Sequence, residues 1–341
     1  MPSDRPLAAL AERLHVPAVA EVPAPHLGLR WRALTEPDLD QARALIERCA
    51  EVDRPLARLC PAEIGERLGG AAASATESLG GFSQDGTLRA MATVYLPADD
   101  LDVLRAFLTA TIDPQWRGRG IGRALLDWQD ARARQLIAAD GRDLPVRIGA
   151  YVDEHLSDRR KLYVAAGFSP KRVYPEMRRP VAAPVPDASL PEGLRVVDWT
   201  PDLDDDVRRA SNAAFADHWG AEPMSPAAWA VGRDEIAPAW SKIALTPDGE
   251  VAAFALTSRH EHAWPRLGAS EGDTERLGVL QEYRGRGVAR ALLVAVVRAL
   301  AADGVERAAL TVDTVDPAIR GFYEDLGYRR EGARILYTIE I

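Results

Sequence analysis

Gln115–Leu126 reads QWRGRGIGRALL, and Glu282–Leu293 reads EYRGRGVARALL. Three further landmarks repeat in the same order. GLRWRALTEPDLD from Gly28 is echoed by GLRVVDWTPDLD from Gly193. DGTLRAMA from Asp85 is echoed by DGEVAAFA from Asp248, and YVAAGF from Tyr163 by YEDLGY from Tyr323. The separation between partners is nearly the same for all four, whether taken from Arg117 to Arg284 or between the starts of the others. Ordered repeats at nearly constant spacing indicate a duplicated domain.

A chain of 341 residues is long enough for two domains, each with its own core. Apolar content of 47% and charged content of 27% are those of a globular protein rather than a disordered one. A formal charge of −9 argues against nonspecific nucleic-acid binding, which needs basic surface to displace counterions. The two basic glycine stretches still suit a small anion. Cys49 and Cys60 leave a disulfide open, but two cysteines make no framework, and a reducing compartment is the simpler reading. The start, MPSDRPLAALAERLHVPAVAEVPAPH, lacks a continuous apolar leader segment, and no run approaches the ~18–20 apolar residues of a membrane span. The expectation is a cytoplasmic protein, monomer or homodimer, with no nucleic-acid or membrane partner.

Composition along the chain divides it into an arm (1–26), a first domain (27–180), a proline-rich linker (181–192) and a second domain (193–341). One short helix, Leu7–Leu14, is expected in the arm. Each domain reads alike. A strand (Leu29–Ala33; Leu194–Asp198) leads to a helix near the Pro-Asp-Leu-Asp segment, and a hairpin turns at Asp85-Gly86 or Asp248-Gly249. A strand (Phe107–Ile112; Glu275–Val279) then enters the glycine stretch and a helix. That helix carries Leu125, Leu126, Ala133 and Leu136 in the first copy, and Leu292, Leu293, Val296, Val297 and Leu300 in the second. Glycines at 141 and 304 end these helices. A strand (Val146–Val152; Ala308–Val312), a short tyrosine-bearing helix and a last strand follow. This order of strands and helices gives an α/β, α+β-layered domain, a mixed sheet flanked by helices, twice over.

The pattern Arg-x-x-Gly-x-Gly/Ala between a strand and a helix has a physical purpose. Glycines let successive N–H groups point into one concavity, and the helix start adds its positive dipole end. A phosphate or pyrophosphate fits such a place. The stretch lacks the Lys-Ser/Thr ending of a Walker loop, and neither copy fits the dinucleotide Gly-x-Gly-x-x-Gly pattern.

Arg117-x-x-Gly120-x-Gly122 and Arg284-x-x-Gly287-x-Ala289 resemble the acetyl-CoA pyrophosphate loop of the GNAT superfamily of N-acetyltransferases. RKLYVAAGF (Arg160–Phe168) and IRGFYEDLGY (Ile319–Tyr328) resemble its later tyrosine-bearing motif. The resemblance covers essentially both domains and implies two tandem GNAT folds. Among tandem members the second half is most similar to mycothiol synthase-like domains, on NAAFADHWG from Asn212, the strand before the loop and the tyrosine motif. The resemblance implies that acetyl-CoA is held by Arg117, Gly118, Arg119, Gly120, Ile121, Gly122 and Tyr163 in the first copy. In the second it implies Val279, Leu280, Arg284, Gly285, Arg286, Gly287, Val288 and Ala289, with N–H groups near Val279 and Leu280 polarising the thioester carbonyl. Asp316 stands where the family commonly has asparagine before the tyrosine.

Acetyl transfer to an amine requires an acceptor for the ammonium proton and a proton for the departing thiolate. The resemblance implies Tyr323, and Tyr163 in the first copy, as the candidate proton donors. Strand period places Asp273, Glu275, Leu277 and Val279 on one face, so either carboxylate is a candidate base. At the equivalent places the first copy has Ala106 and Leu108. The expected activity is acetyl-CoA-dependent N-acetylation of a small-molecule primary amine, mainly in the second domain. A non-catalytic acyl-CoA-binding protein, or catalysis in the first or both domains, stays open at this point. His218 and Trp219 are candidate acceptor contacts. His260 and His262 share a strand face, but no third ligand is apparent and no metal site is expected. PADDLD around Asp99 reads as a solvated acidic loop, and Trp229 and Trp240 as buried.

Overall fold

Asp-Gly dipeptides close equivalent hairpins in the two halves, because each turn needs a residue at positive φ that glycine adopts without strain. Gly86 has φ +80° and Gly249 +88°, and each donates its N–H to the carbonyl three residues back, Ser83 at 2.9 Å and Thr246 at 3.0 Å. The computed structural model describes residues 10–25, 28–56, 75–98, 100–219, 222–313 and 317–341. Cys60 and Asp316 therefore lie outside the described residues, as do residues 7–9 of the expected first helix.

In the first half of the chain the order is α1 (Leu10–Leu14), β1 (Arg30–Arg32), α2 (Leu39–Asp53), β2 (Ala75–Phe82), β3 (Leu88–Leu96), β4 (Leu104–Ile112), α3 (Ile121–Asp140), β5 (Val146–Asp153), α4 (Ser157–Ala165) and β6 (Ser169–Pro180). The second half continues with β7 (Arg195–Asp198), α5 (Asp204–Phe215), α6 (Pro226–Ala230), β8 (Lys242–Leu245), β9 (Val251–Ser258), α7 (Trp264–Leu267), β10 (Glu271–Val279), α8 (Val288–Ala302), β11 (Arg307–Thr311), α9 (Pro317–Asp325) and β12 (Arg329–Glu340).

The chain divides into two compact units. The first takes in the described residues up to Pro55, those from 75 to Arg172, and Ile335–Ile341. The second takes in Leu56 and the described residues from Val173 to Arg334. The divisions fall inside β6 and β12, upstream of the 181–192 segment in the one case and near the chain's end in the other. Strand order is β1-β2-β3-β4-β5-β12 in the first unit and β7-β8-β9-β10-β11-β6 in the second. Each sheet is antiparallel except for one parallel pair, β4 with β5 and β10 with β11, among the pairings of described residues.

Helices cover the sheets as their apolar spacing requires. In α8, Leu292, Leu293, Val296, Val297 and Leu300 are all buried, and each such side chain contributes about 1.5–3 kcal/mol. In α3 the buried stripe runs through Ile121, Leu125, Leu126, Ala133 and Ile137, while Leu136 is only partly buried. The arm helix α1 packs Leu10 and Leu14 into the first core. The proline-rich segment is not a free tether: Val181, Val185, Ala188 and Leu190 pack against the second core. Within that unit the buried Arg178 bonds Glu271 at 2.6 Å, Glu176 at 3.1 Å and Glu331 at 3.2 Å, tying β6 to β10 and β12. Asp100 departs from the expected solvated acidic loop. It is 1% exposed and accepts from Arg105 at 2.7 Å.

One close approach fixes β10. A Cβ on Gly278 would stand 2.3 Å from the Phe254 ring, which is wholly buried and has nowhere to go. Gly278→Ala is expected to cost about 1–3 kcal/mol by overpacking. Gly321→Ala, in α9 with no described atom crowding it, is expected to be neutral or to gain up to about 1 kcal/mol. Denaturant unfolding of the two variants checks both; equal stability would contradict the packing.

Candidate active site

The site starts where two parallel strands stop pairing. β4 runs in register with β5 for four residues, Leu104↔Val146 to Phe107↔Gly149. β10 runs with β11 likewise from Glu271↔Arg307 to Thr274↔Leu310. Past these points β4 and β10 pair only with their antiparallel neighbours among the described residues, which opens a wedge on the side of the glycine loop.

Each loop is built from left-handed glycines. Gly118 and Gly120 have φ +75° and +88°; Gly285 and Gly287 have +73° and +81°. No described atom crowds the place where a Cβ would stand on any of the four. The first bonds back into the helices are Ala124 N–H to Gly120 O at 3.2 Å and Ala291 N–H to Gly287 O at 3.0 Å. The N–H groups of Ile121, Gly122 and Arg123, and of Val288, Ala289 and Arg290, therefore precede any helical acceptor. Among the described residues no side chain caps either helix. Uncapped N–H groups at a positive helix end, beside a glycine concavity, fit a pyrophosphate.

The loop arginines divide the work. Arg117 Nε donates to Ile112 O and Arg284 Nε to Val279 O, both at 3.0 Å, so each folds back onto the preceding strand. Arg117 also forks onto Asp53 at the end of α2, at 2.6 and 2.9 Å, and Arg284 reaches Ala214 O in α5 at 2.7 Å. These two guanidiniums hold the loop in place. The second pair, Arg119 and Arg286, lie over the Trp116 and Tyr283 rings at 4.5 and 5.9 Å. The Leu280 N–H, expected to polarise a carbonyl, is already bonded to Ala252 O at 3.0 Å.

The candidate bases do not share the face that strand period assigned them. Register jumps between Thr274↔Thr257 and Arg276↔Leu256, so Glu275 is the extra residue of a β-bulge. Asp273, Arg276 and Gly278 oppose Ser258, Leu256 and Phe254; Thr274, Leu277 and Val279 oppose Thr257, Ala255 and Ala253. Leu256 and Phe254 belong to the core under α5, whereas Ala255 and Ala253 belong to the core under α8. Asp273 thus faces the α5 side and Leu277 and Val279 the α8 side. β4 carries no such jump from Phe107 to Ile112, and Ala106 and Leu108 are buried in the first core.

Glu275 sits 3.1 Å from His260 Nε2. Burial pushes its pKa up, but the hydrogen bond and charge of His260, the nearby Ser258 hydroxyl and the charge of Arg233 outweigh this and hold it below the usual glutamate range. His260 is not on a strand face. It caps the start of the turn Glu261–Ala263 just past β9, in which His262 lies, and its Nδ1 is 3.6 Å from Glu235. Sequence spacing offered no third ligand, yet Glu235 brings a carboxylate within 4.8 Å of ligand atoms on both histidines.

The two tyrosines share a backbone role. Phe168 N–H donates to Tyr163 O at 3.0 Å and Tyr328 N–H to Tyr323 O at 3.1 Å, with Gly167 and Gly327 left-handed between them. The repeated Tyr-x-x-x-Gly-aromatic spacing is thus a helix C-cap. Their side chains differ. Tyr163 is 8% exposed within the first core, against Phe168 and Tyr337 at 5.3 and 6.1 Å. Tyr323 is half-buried at the margin of the second core, against Phe322 and Tyr328. Burial pushes both hydroxyls up to about 12, so both stay protonated at neutral pH. Tyr328, pushed up chiefly by burial, also feels the charges of Tyr323 and Asp273, which places these groups in one neighbourhood.

His218 and Trp219 follow α5, His218 exposed with its ring 4.9 Å from Phe215 and Trp219 half-buried. Asn212 closes this loop by exchanging hydrogen bonds with Met224 at 2.9 and 3.1 Å. Met224 Sδ in turn accepts from Arg276 at 2.8 Å. Trp229 and Trp240 are buried. Arg233, Glu235 and Arg276 lie around Glu275 and were not singled out from the sequence, where nothing marks them apart from other surface charges.

Residues 205–328 match the acetyltransferase (GNAT) family. The chain is 34% identical over 231 residues to a mycothiol acetyltransferase of Salinispora arenicola, across 66% of this chain and 70% of that protein. A mycothiol acetyltransferase of Salinispora tropica is 34% identical over 233 residues, 67% and 71% of the two chains. Among solved structures, a GCN5-related N-acetyltransferase from Sphaerobacter thermophilus superposes with TM-score 0.68 at 22% identity, covering 94% of this chain and 97% of its own. A tandem GNAT protein from the clavulanic acid biosynthesis pathway gives 0.66 at 18% identity, covering 92% and 98%. Fold, glycine loops and relatives agree: the chain belongs to the GNAT family of acetyltransferases, a tandem member that takes its acetyl group from acetyl-CoA.

Proposed function

We propose that the second unit acetylates the primary amine of a small molecule, and that the first unit holds cofactor without turning it over. The observation that carries this reading is the bulge at Glu275. It puts Asp273 and Glu275 where β10 leaves β11; in the unbulged β4 nothing corresponds to Glu275, and the register position of Asp273 is taken by Phe107. The similarity to mycothiol acetyltransferases supports a small-molecule acceptor.

In this reading the N–H groups of Gly285 to Arg290 hold the pyrophosphate, and Arg284 braces the loop. Bound there, acetyl-CoA supplies an activated thioester. Asp273, on the α5 side, takes the ammonium proton so that the nitrogen can form its bond to the acetyl carbon. Glu275 is a weakened base, because His260 and Arg233 already stabilise its anion. It holds negative charge beside the incoming cation instead. Tyr323, protonated at working pH, gives its proton to sulfur as the carbon–sulfur bond breaks. In the first unit the enclosed Tyr163 and the absence of a strand carboxylate leave neither proton transfer served.

Tyr323→Phe is expected to lower thiol release about tenfold or more, with the KM for acetyl-CoA little changed. Tyr163→Phe is expected to leave the rate alone. Unchanged turnover in Tyr323→Phe would overturn the assignment. The pH profile gives a second expectation. A carboxylate base must be ionised, so the rate falls as pH drops through its pKa, and Asp273→Asn removes that limb together with most of the rate. Glu275, held low, stays ionised through mildly acidic pH, so Glu275→Gln keeps the acidic limb. With Tyr323 near 12, no alkaline loss from the acid is expected below about pH 10. An acidic limb that follows Glu275 would reassign the base.

A further inference from the structure

On the α5 side of the second unit, one buried indole and the guanidinium beside it carry three donor atoms without an acceptor among the described residues. Trp229 is 2% exposed, and its Nε1–H has no acceptor among the described residues. The Arg233 guanidinium lies 4.4 Å from the ring centroid and that of Arg276 5.2 Å. Arg233 Nε and Nη1 are buried and likewise have no acceptor among the described residues. The hydrogen bond found for Arg276 goes to the weak acceptor Met224 Sδ. Glu275 and Asp204 attract Arg233 without forming an ion pair with it.

Such an arrangement is costly. Both guanidiniums are half-buried; N–H groups of Arg233 that are enclosed without an acceptor lose hydration and recover little, and the two cations repel each other. Burial pushes both guanidinium pKa values down, and Arg233 pushes that of Arg276 down further. Guanidiniums are nonetheless charged at any physiological pH. Glu275 attracts both guanidiniums, but the enclosed N–H groups of Arg233 still lack acceptors among the described residues, and an oxyanion from outside the fold suits them. Planar guanidinium forks match an oxyanion, a carboxylate or a phosphate, and an indole N–H adds a further donor.

Position says whose anion it is. Arg276 is the first residue past the bulge and lies on the face of Asp273, not on the face of Leu277 and Val279. The pair is therefore beside the candidate base and on the acceptor's side. We propose that Arg233 and Arg276, with the Trp229 N–H, bind an oxyanion carried by the acceptor, so that the substrate is an amine that also bears a carboxylate or phosphate. This deepens the function proposed above and rests on it for the identity of the acceptor; the anion site itself does not.

Two experiments on the full chain separate those dependencies. The first needs no turnover: acetate and inorganic phosphate are titrated calorimetrically with coenzyme A saturating, so that the glycine loops are filled. Saturable binding of one or both anions is expected, weakened about tenfold or more in Arg233→Met and in Arg276→Met. The stronger anion identifies the group. No saturable binding, or binding unchanged in both variants, overturns the site. The second compares amino acids with their carboxamides, and phosphorylated amines with their unphosphorylated parents, as acceptors. The charged member of a pair is expected to be favoured about tenfold or more in kcat/KM, and Arg276→Met to abolish the preference while leaving the neutral member's kcat/KM in place. A raised KM for acetyl-CoA with unaltered acceptor preference would assign the arginines to the cofactor's phosphates and overturn the proposal. Anion binding without acetylation of any amine would sink the acceptor reading and leave the site standing.

Discussion

The parting of β10 from β11 after Thr274 and Leu310 is the constraint on which the rest of the second unit depends. Parallel strands that stay in register present no opening, because each buried N–H and C=O must find its partner across the pair. Once they part, the strand needs another means of support. Antiparallel pairing with β9 supplies it on one side, and the bulge at Glu275 adjusts the register without breaking that pairing. The wedge thus has a continuous sheet behind it and an open mouth in front. The loop after Val279 is anchored at that mouth by Arg284, which bonds the strand's last carbonyl and a carbonyl of α5.

The duplicated first unit shows what the same architecture is without the bulge. Its strands part after Phe107 and Gly149, and its loop has the same left-handed glycines. Its loop arginine, however, is held by Asp53, which also receives Arg159, so the cradle sits on an ion-pair cluster rather than on a bare helix end. With no extra residue, β4 keeps alternating: Phe107 stands opposite Tyr95 as Asp273 stands opposite Ser258, and nothing corresponds to Glu275.

Much of this was legible in the amino-acid sequence, for physical reasons. Left-handed turns demand glycine, so the loops and the hairpin and helix ends announced themselves at Gly86, Gly120, Gly249 and Gly287. The tyrosine motifs were equally visible, though their spacing records a helix cap rather than chemistry. The face assignment of Asp273 failed because a bulge at Thr-Glu-Arg has no glycine or proline to betray it, and one extra residue reverses every side chain beyond it. Glu235 was invisible as a neighbour of His260 for a related reason: β8 and β9 lie between them in the chain, and the turn past β9 closes that gap. The unmet N–H groups of Arg233 are a property of packing around Trp229, and no composition reveals them.

Locating the chemistry in one of two similar loops is the centre of this account. It is tested most directly by acetyl-CoA-dependent thiol release from the full chain carrying Gly120→Ala or Gly287→Ala, each of which strains a left-handed loop position and misdirects its N–H groups. The account predicts that Gly287→Ala loses turnover while Gly120→Ala keeps it. Loss confined to Gly120→Ala, or equal loss in both, would contradict it.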